Sequence, residues 1–445
     1  MNVAVMKTKA EQAISESFEA AAAKLPGSAA VKARRADAIG TFGGLGLPHR
    51  RIEEWKYTDL RANLKEVLPA AVEDKTPLSI GELIVALGPL AHVDAHRIVF
   101  VNGHHRADLS DIADAKGLAI STIGKALQSA SEEAVVSLAS TPEGGDAIEA
   151  LNTAFMTDGA IVDVAKGASV AKPLLIVFVR AGSEANAVTV RNLITVGEGA
   201  SATIVEANVV LPGAVRDAHL NALAEVSVGK GATLNHVRSA VDEGKSLHLS
   251  NCEVTLAADA TYRGFQFSSN LGFARHGANI RFNGEGGKLD LSGAYLARHS
   301  EHVDNTLVVD HAVPRCESRE LFKGVLDGHG RGVFQGKVIV RPDAQKTDGK
   351  QMSQALMLSE DSEFDSKPEL EIYADDVVCG HGTTSAELDS DLLFYCRSRG
   401  IPEKEARALM IESFIGEALD KVEHEGLREA LASYAMQWLG RSPRG

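Results

Sequence analysis

Aromatic residues are scarce in this 445-residue chain: Phe, Trp and Tyr together make up only 5% of it. A core of this size must then come mainly from aliphatic side chains. With 41 glycines, that composition suits a turn-rich β architecture of small repeating units. Basic residues are in deficit too, with 46 Lys and Arg against 60 Asp and Glu, a net charge of −14. A chain of this sign gains no counterion-release energy from nucleic acid and is not drawn to anionic membranes, so neither partner is expected. The four cysteines, Cys252, Cys316, Cys379 and Cys396, are far apart and form no CxxC. That excludes a ready-made zinc or ferredoxin knuckle and points to a reducing compartment. No apolar run approaches the ~18 residues of a membrane span, and Met1–Ala10 lacks a secretory h-region. A cytoplasmic protein is expected. There is no P-loop, no G-x-S-x-G elbow and no HExxH helix. Gly328-His329-Gly330-Arg331-Gly332 resembles a phosphate loop but lies among strands, so it is read as a β-turn.

The length suggests two or three domains. Residues 1–159 read as a mostly helical region. Helices are expected over Ala10–Lys24, stopped by Pro26-Gly27, and from Ala29 to about Ile39. The segment from Pro48 to Thr58 is expected to anchor itself through Trp55 and Tyr57 with its charges solvated. A short strand is expected over His96–Val101, before the turn at Asn102-Gly103.

From residue 160 the texture changes. Val and Ile alternate with polar residues, and glycines punctuate them. A V-G-x-G-A core begins at Val196 and again at Val228, 32 residues later. Weaker copies run from Val254 to Tyr262 and from Ile280 to Leu289. A repeat of this length marks a stacked array, in which no unit buries its face alone. Residues 160–384 are therefore read as a mainly β region, a solenoid and specifically a parallel β-helix. Residues 385–445 read as a C-terminal helical domain. Asp389-Ser390-Asp391 caps a helix through Arg397, and Gly400 and Pro402 separate it from the next. That helix carries Ala406, Leu409, Met410, Phe414, Ala418 and Val422 at helical spacing. Gly426 is expected to break it, with a last helix over Leu427–Leu439. Solenoid stability is largely nearest-neighbour, so the β core is expected to fold without this domain.

The segment richest in chemistry is Ala374 to Thr384. Cys379 and His381 are two apart and on a strand share one face. A thiolate beside an imidazole makes half of a soft-metal site, which Asp375 and Asp376 are placed to orient. An isolated C-x-H is more often a buried Cys beside a hydrogen-bonded His. Two rival functions also fit a β-helix: a carbohydrate-active enzyme, which would usually be exported, and an inert structural adaptor. A hexapeptide-repeat acyltransferase is disfavoured by the period.

Several segments resemble the SufB/SufD family of iron–sulfur cluster assembly scaffold subunits. They are Arg50 to Thr58, Phe334 to Val340, Pro368 to Val377, Cys379-Gly380-His381-Gly382-Thr383-Thr384 and Leu393 to Ile401. The resemblance implies a right-handed parallel β-helix between helical regions. It implies a non-enzymatic scaffold subunit in a SufBCD complex that assembles clusters and passes them to apoproteins. Partners would be SufB and the ABC-type ATPase SufC, whose docking falls to the C-terminal helices, here Phe394, Tyr395, Met410 and Phe414. A homodimer is a further possibility. His381 and its neighbour Cys379 would serve as metal ligands at the SufB interface. No cofactor would be held stably by the chain alone, only a transient iron or iron–sulfur cluster in the complex. Where SufB carries a cysteine in a C-D-S-M-like context, this chain has Ser353-Gln354-Ala355-Leu356, and where SufB has Glu it has His381. Both differences place it on the SufD side.

Overall fold

The computed structural model describes residues 7–73, 77–113, 115–131, 146–215, 217–242 and 245–440. Its N-terminal region contains helices α1 (Lys9–Ala21), α2 (Ala29–Leu45), α3 (Leu60–Asn63), α4 (Ile80–Leu87), α5 (Ile123–Ser129) and α6 (Ala147–Phe155). Reciprocal capping boxes start α1, through Thr8 and Glu11, and α6, through Asp146 and Glu149. Each satisfies two of the amides a helix start leaves open. The same region supplies strands β1 (His96–Val101), β2 (His104–His105) and β3 (Leu118–Thr122).

The solenoid continues with β4 (Ala160–Val164), β5 (Leu174–Arg180), β6 (Ala187–Val196), β7 (Ser201–Val210), β8 (His219–Val228), β9 (Thr233–Val241), β10 (Leu247–Leu256) and β11 (Thr261–Ser269). It is completed by β12 (Phe273–Phe282), β13 (Lys288–Ala297), β14 (His302–His311), β15 (Glu317–Leu326), β16 (Arg331–Val340), β17 (Asp348–Met357), β18 (Glu363–Ile372) and β19 (Val378–Ala386). Alternate strands fall into two sheets, β19-β17-β15-β13-β11-β9-β7-β5-β1-β2 and β18-β16-β14-β12-β10-β8-β6-β4-β3. Every pairing is parallel except β1 with β2 and β3 with β4. This is a parallel β-helix of about eight turns with helical regions at both ends.

The repeat is explained by its corners. Val196, Val228, Leu256 and Phe282 stack in one row. In the signature after Val228, a Cβ on Gly229 would lie 2.8 Å from the Val196 carbonyl oxygen of the coil before, so only glycine fits. Gly231 has φ +63, the left-handed region that glycine enters without a Cβ clash. In the weaker third copy Asp259 holds that conformation at φ 58, as Asp and Asn can. Inward-facing side chains of both sheets form one core running the length of the solenoid, from Ile98 to Ala374.

Each outer face is covered. Helices α1 and α6, with Trp55 and Leu60, pack against Leu249 on one sheet. On the other, α7 (Ser390–Ser398) leads to α8 (Glu403–Leu419) and α9 (Glu425–Gly440). These last two bury Ile411, Ile415, Leu431 and Trp438 with Phe267, Leu296 and Val325. The core-facing side of α8 is thus set by Ile411, Ile415, Ala418 and Leu419. Leu409, counted in the expected stripe, is 46% exposed. The expected break at Gly426 falls inside α9, and the chain turns at Asp420 instead. The strand over His96–Val101 is present and joins the solenoid through β5.

Candidate functional site

The two ends of the solenoid differ. At the first, the short strands β2 and β3 pair antiparallel onto the sheets. At the other, β18 bonds only to β16 and β19 only to β17, so their outer edges have no strand partner among the described residues. Tyr373 and Val378, beside this edge, are 61% and 62% exposed.

Cys379 and His381 lie on β19, in register with Gly349 and Gln351 of β17. The expected same-face placement follows from that register. The Cys379 thiol is half-buried, and a Cβ on Gly349 would lie 3.6 Å from its sulfur. Burial pushes the thiol pKa up, with the Gly349 backbone pulling it back in part. His381 is exposed. Pro368, Ser366 and Thr383 complete the rim, with Thr383 Oγ1 donating to Ser366 Oγ at 2.9 Å across the mouth.

The aspartates do not orient the imidazole. The Asp376 carboxylate pairs with Lys346, and both Asp375 and Asp376 are exposed in the turn between β18 and β19. No group of three or more His, Cys, Asp or Glu able to hold a metal ion occurs among the described residues. Cys379 and His381 thus supply at most two of the four ligands a typical iron–sulfur cluster takes. Cys252 and Cys316 are buried inside the solenoid, away from this rim.

The four residues expected to dock a partner separate into two kinds. Phe394 and Tyr395 on α7 are 72% and 54% exposed. Met410 is half-buried, and Phe414 packs against the core with the Lys323 ammonium 4.4 Å from its ring centre. Phe414 therefore holds α8 to β15.

The segment from Arg50 to Thr58 is an anchor. Trp55 is buried, donates from Nε1 to Asp146 and lies under the Arg275 guanidinium at 4.0 Å. Glu53 pairs with Lys367. The turn at Gly328 has φ +58 and is capped by Asp327 and Ser359, not by a ligand-binding helix.

These features define a parallel β-solenoid protein with helices on both outer faces and one end, bearing a thiol and an imidazole, whose strand edges have no partner among the described residues. The matches to known families carry this further. Residues 178–414 match the SUF system FeS cluster assembly, SufBD core domain, and residues 8–176 match the SufBD protein N-terminal region. The chain belongs to the SufBD family of iron–sulfur cluster assembly proteins. It is 31% identical to the iron–sulfur cluster assembly protein SufD of Escherichia coli, over 86% of this chain and 87% of the relative. A SufBD family protein of Synechocystis is also 31% identical, over 87% of each chain. SufD of Bacillus subtilis is 30% identical over 64% of this chain and 65% of its own length. Among the described residues no helix is long and apolar enough to cross a membrane.

Proposed function

We propose that this chain is a non-catalytic scaffold subunit of a cytoplasmic SufBCD-type complex, in which its bare solenoid end meets SufB and α7 meets the ATPase SufC. Clusters are built transiently at the SufB contact, with Cys379 and His381 giving two ligands, and are then passed to apoproteins. The chain alone holds no cofactor stably. The observation that carries this reading is the bare end itself. An exposed strand edge is a template for further pairing, and proteins normally blunt or cover it. Here two such edges lie side by side, flanked by exposed Ile372, Tyr373 and Val378. They carry the one Cys–His pair the sequence singles out. A second copy of this chain can use the same edges, so a homodimer competes with the SufB pairing. Energy enters through SufC, since this sequence has no P-loop.

The test is His381→Ala in the co-expressed complex. Iron and acid-labile sulfide are expected to fall while subunit stoichiometry persists, because an exposed imidazole contributes little to packing. Unchanged iron and sulfide in an intact complex overturns the ligand role. Failure of the chain to co-purify with SufB or SufC overturns the partnership.

A further inference from the structure

Inside the last coils are buried polar side chains short of hydrogen-bond partners. Glu320 on β15 is 2% exposed, and beyond the nearby Ser318 hydroxyl its carboxylate oxygens have no hydrogen-bond partner. Gln351 on β17 is 3% exposed with both its amide nitrogen and oxygen unpartnered, and the buried Ser353 hydroxyl is unpartnered as well. An unbonded buried polar group costs about 1–3 kcal/mol. Native interiors leave few of them, and a cluster points to bound water or an ion.

Their order gives the cluster a direction. Glu320 is in register with Gln351, and Gln351 with His381. The three form one row along the solenoid axis, about 4.8 Å apart, from the interior to the bare end. Leu291 follows Glu320 in the same row and closes it inward. Opposite, a Cβ on Gly336 would lie 2.1 Å from Gln351 Nε2, so this glycine leaves the amide its space. Deeper still, a cavity of about 20 Å³ is lined by Gln266, His276 and Asn305, enough for one water. Gln266 Oε1 and Asn305 Nδ2 there are also unpartnered.

We propose that a file of ordered waters runs inward from His381, past Gln351 and Ser353, to Glu320, and that Glu320 is the proton-exchanging group at its inner end. Release breaks the carboxyl O–H bond and passes the proton to the adjacent water, and so outward along the file to bulk solvent. Uptake reverses this. The carboxylate left behind is solvated by the waters and the Gln351 amide. Oxygen donors from a single carboxylate and an amide favour water over a multivalent cation, which would need more charge.

The surroundings fit a proton-bearing group. Burial drives the Glu320 carboxyl up to about 8, with Asp290 on β13 adding to the rise and Ser318 and Arg319 opposing it. On β17, Asp348 is taken up by Arg319. On β14, His311 is bonded through Nε2 to Ser318. On β19, Cys379 feels the Glu320 charge. On the outer face Lys323 is paired with Glu417 of α8. A proton store behind the cluster-building rim is a role that rests on the proposed function. The water file and the protonated carboxyl do not.

Infrared spectroscopy of the full chain separates the two. Because buried Glu149 is also held up to about 9, the band is read in the wild-type minus Glu320→Gln difference spectrum, where a protonated carboxyl is expected at pH 7, fading as pH rises through about 8 and shifting promptly in D₂O. Gln351→Leu is expected to keep the band and slow its shift at least tenfold. A spectrum identical in wild type and a folded Glu320→Gln overturns the proposal, as does a D₂O shift in Gln351→Leu as fast as in wild type. If Glu320→Gln does not fold, Glu320→Met supplies the difference spectrum. Absence from that difference spectrum of a protonated-carboxyl band that both fades through pH 8 and shifts in D₂O overturns the proposal. None of these readouts depends on cluster assembly, so loss of the SufB partnership leaves them intact.

Discussion

Arg275→Met tests the clamp that fastens the N-terminal region to the solenoid. Arg275 Nη1 pairs with the Asp304 carboxylate, which is fully buried, and Nη2 donates to the Glu54 carbonyl at 2.7 Å. The same guanidinium covers Trp55. Methionine keeps much of the volume but leaves Asp304 with only the hydroxyls of Thr58 and Thr306 and the ring of His302 nearby. Removing one partner of a buried ion pair costs about 3–5 kcal/mol, and the lost cation–π contact adds roughly 0.5–2 kcal/mol. The overlap of these two terms keeps the expected loss at about 4 kcal/mol. The chain has two tryptophans, so in a Trp438→Phe background the fluorescence of Trp55 reports the clamp alone during guanidinium unfolding. Adding Asp304→Leu removes the stranded charge and is expected to restore most of the loss. A single substitution costing less than ~1 kcal/mol, or a double mutant as unstable as the two singles combined, refutes the argument.

Three other perturbations follow from the packing. His236, sealed in the core and bonded to Glu206 and the Tyr262 hydroxyl, is held charged to about 9: burial favours the neutral ring, but the nearby Cys252 sulfur and the Glu206 carboxylate outweigh it. Its ordinary value is about 6.5, so about 3 kcal/mol of stability, full below pH 6.5, is lost as pH rises through 9. His236→Gln should flatten that decline in a pH-dependent melting series. Phe394→Ser with Tyr395→Ser should cut SufC capture at least tenfold in a pull-down while leaving the melting temperature unchanged, and a matching loss of stability would mean the pair is structural. Deletion from Ser385 onward should produce an aggregating, dye-binding chain, because it strips α8 and α9 from Phe267, Leu296 and Val325. A monodisperse truncated solenoid would show that those helices are dispensable to the core.

That last expectation qualifies the sequence-based one, that the β core folds without this domain, and shows where sequence reading stops. Coil spacing was legible because Val196 and Val228 carry the glycines their corners require, and the third and fourth copies stack in the same row. The Asp389 cap and the strand at His96 were legible for the same local reason. The face of α8 was not: Leu409 and Ile411 are equally apolar, and only the solenoid beneath decides which is buried. Trp55 was readable as an anchor, but its partner Arg275 is 220 residues away in sequence (275 − 55 = 220). The candidate site was half-legible. Spacing put Cys379 and His381 on one face, whereas Glu320 and Gln351 carry no local signal at all. They become a row with His381 only through register across three coils.

The coils differ in length, but the strands of one sheet hardly do. Strands β6, β8, β10, β12, β14, β16 and β18 each have 10 residues. Their stacked ends fall at Val196, Val228, Leu256, Phe282, His311, Val340 and Ile372. The advance per coil ranges from 26 (282 − 256) to 32 (228 − 196), and nearly all of that variation is taken up between strands. An insertion at a corner changes one loop. A single residue inserted within a strand turns every later side chain of that strand inside out, bringing charges such as Glu253 or Asp310 into the apolar core. Evolution and the protein engineer therefore share one rule for this chain: length is negotiable only at the corners.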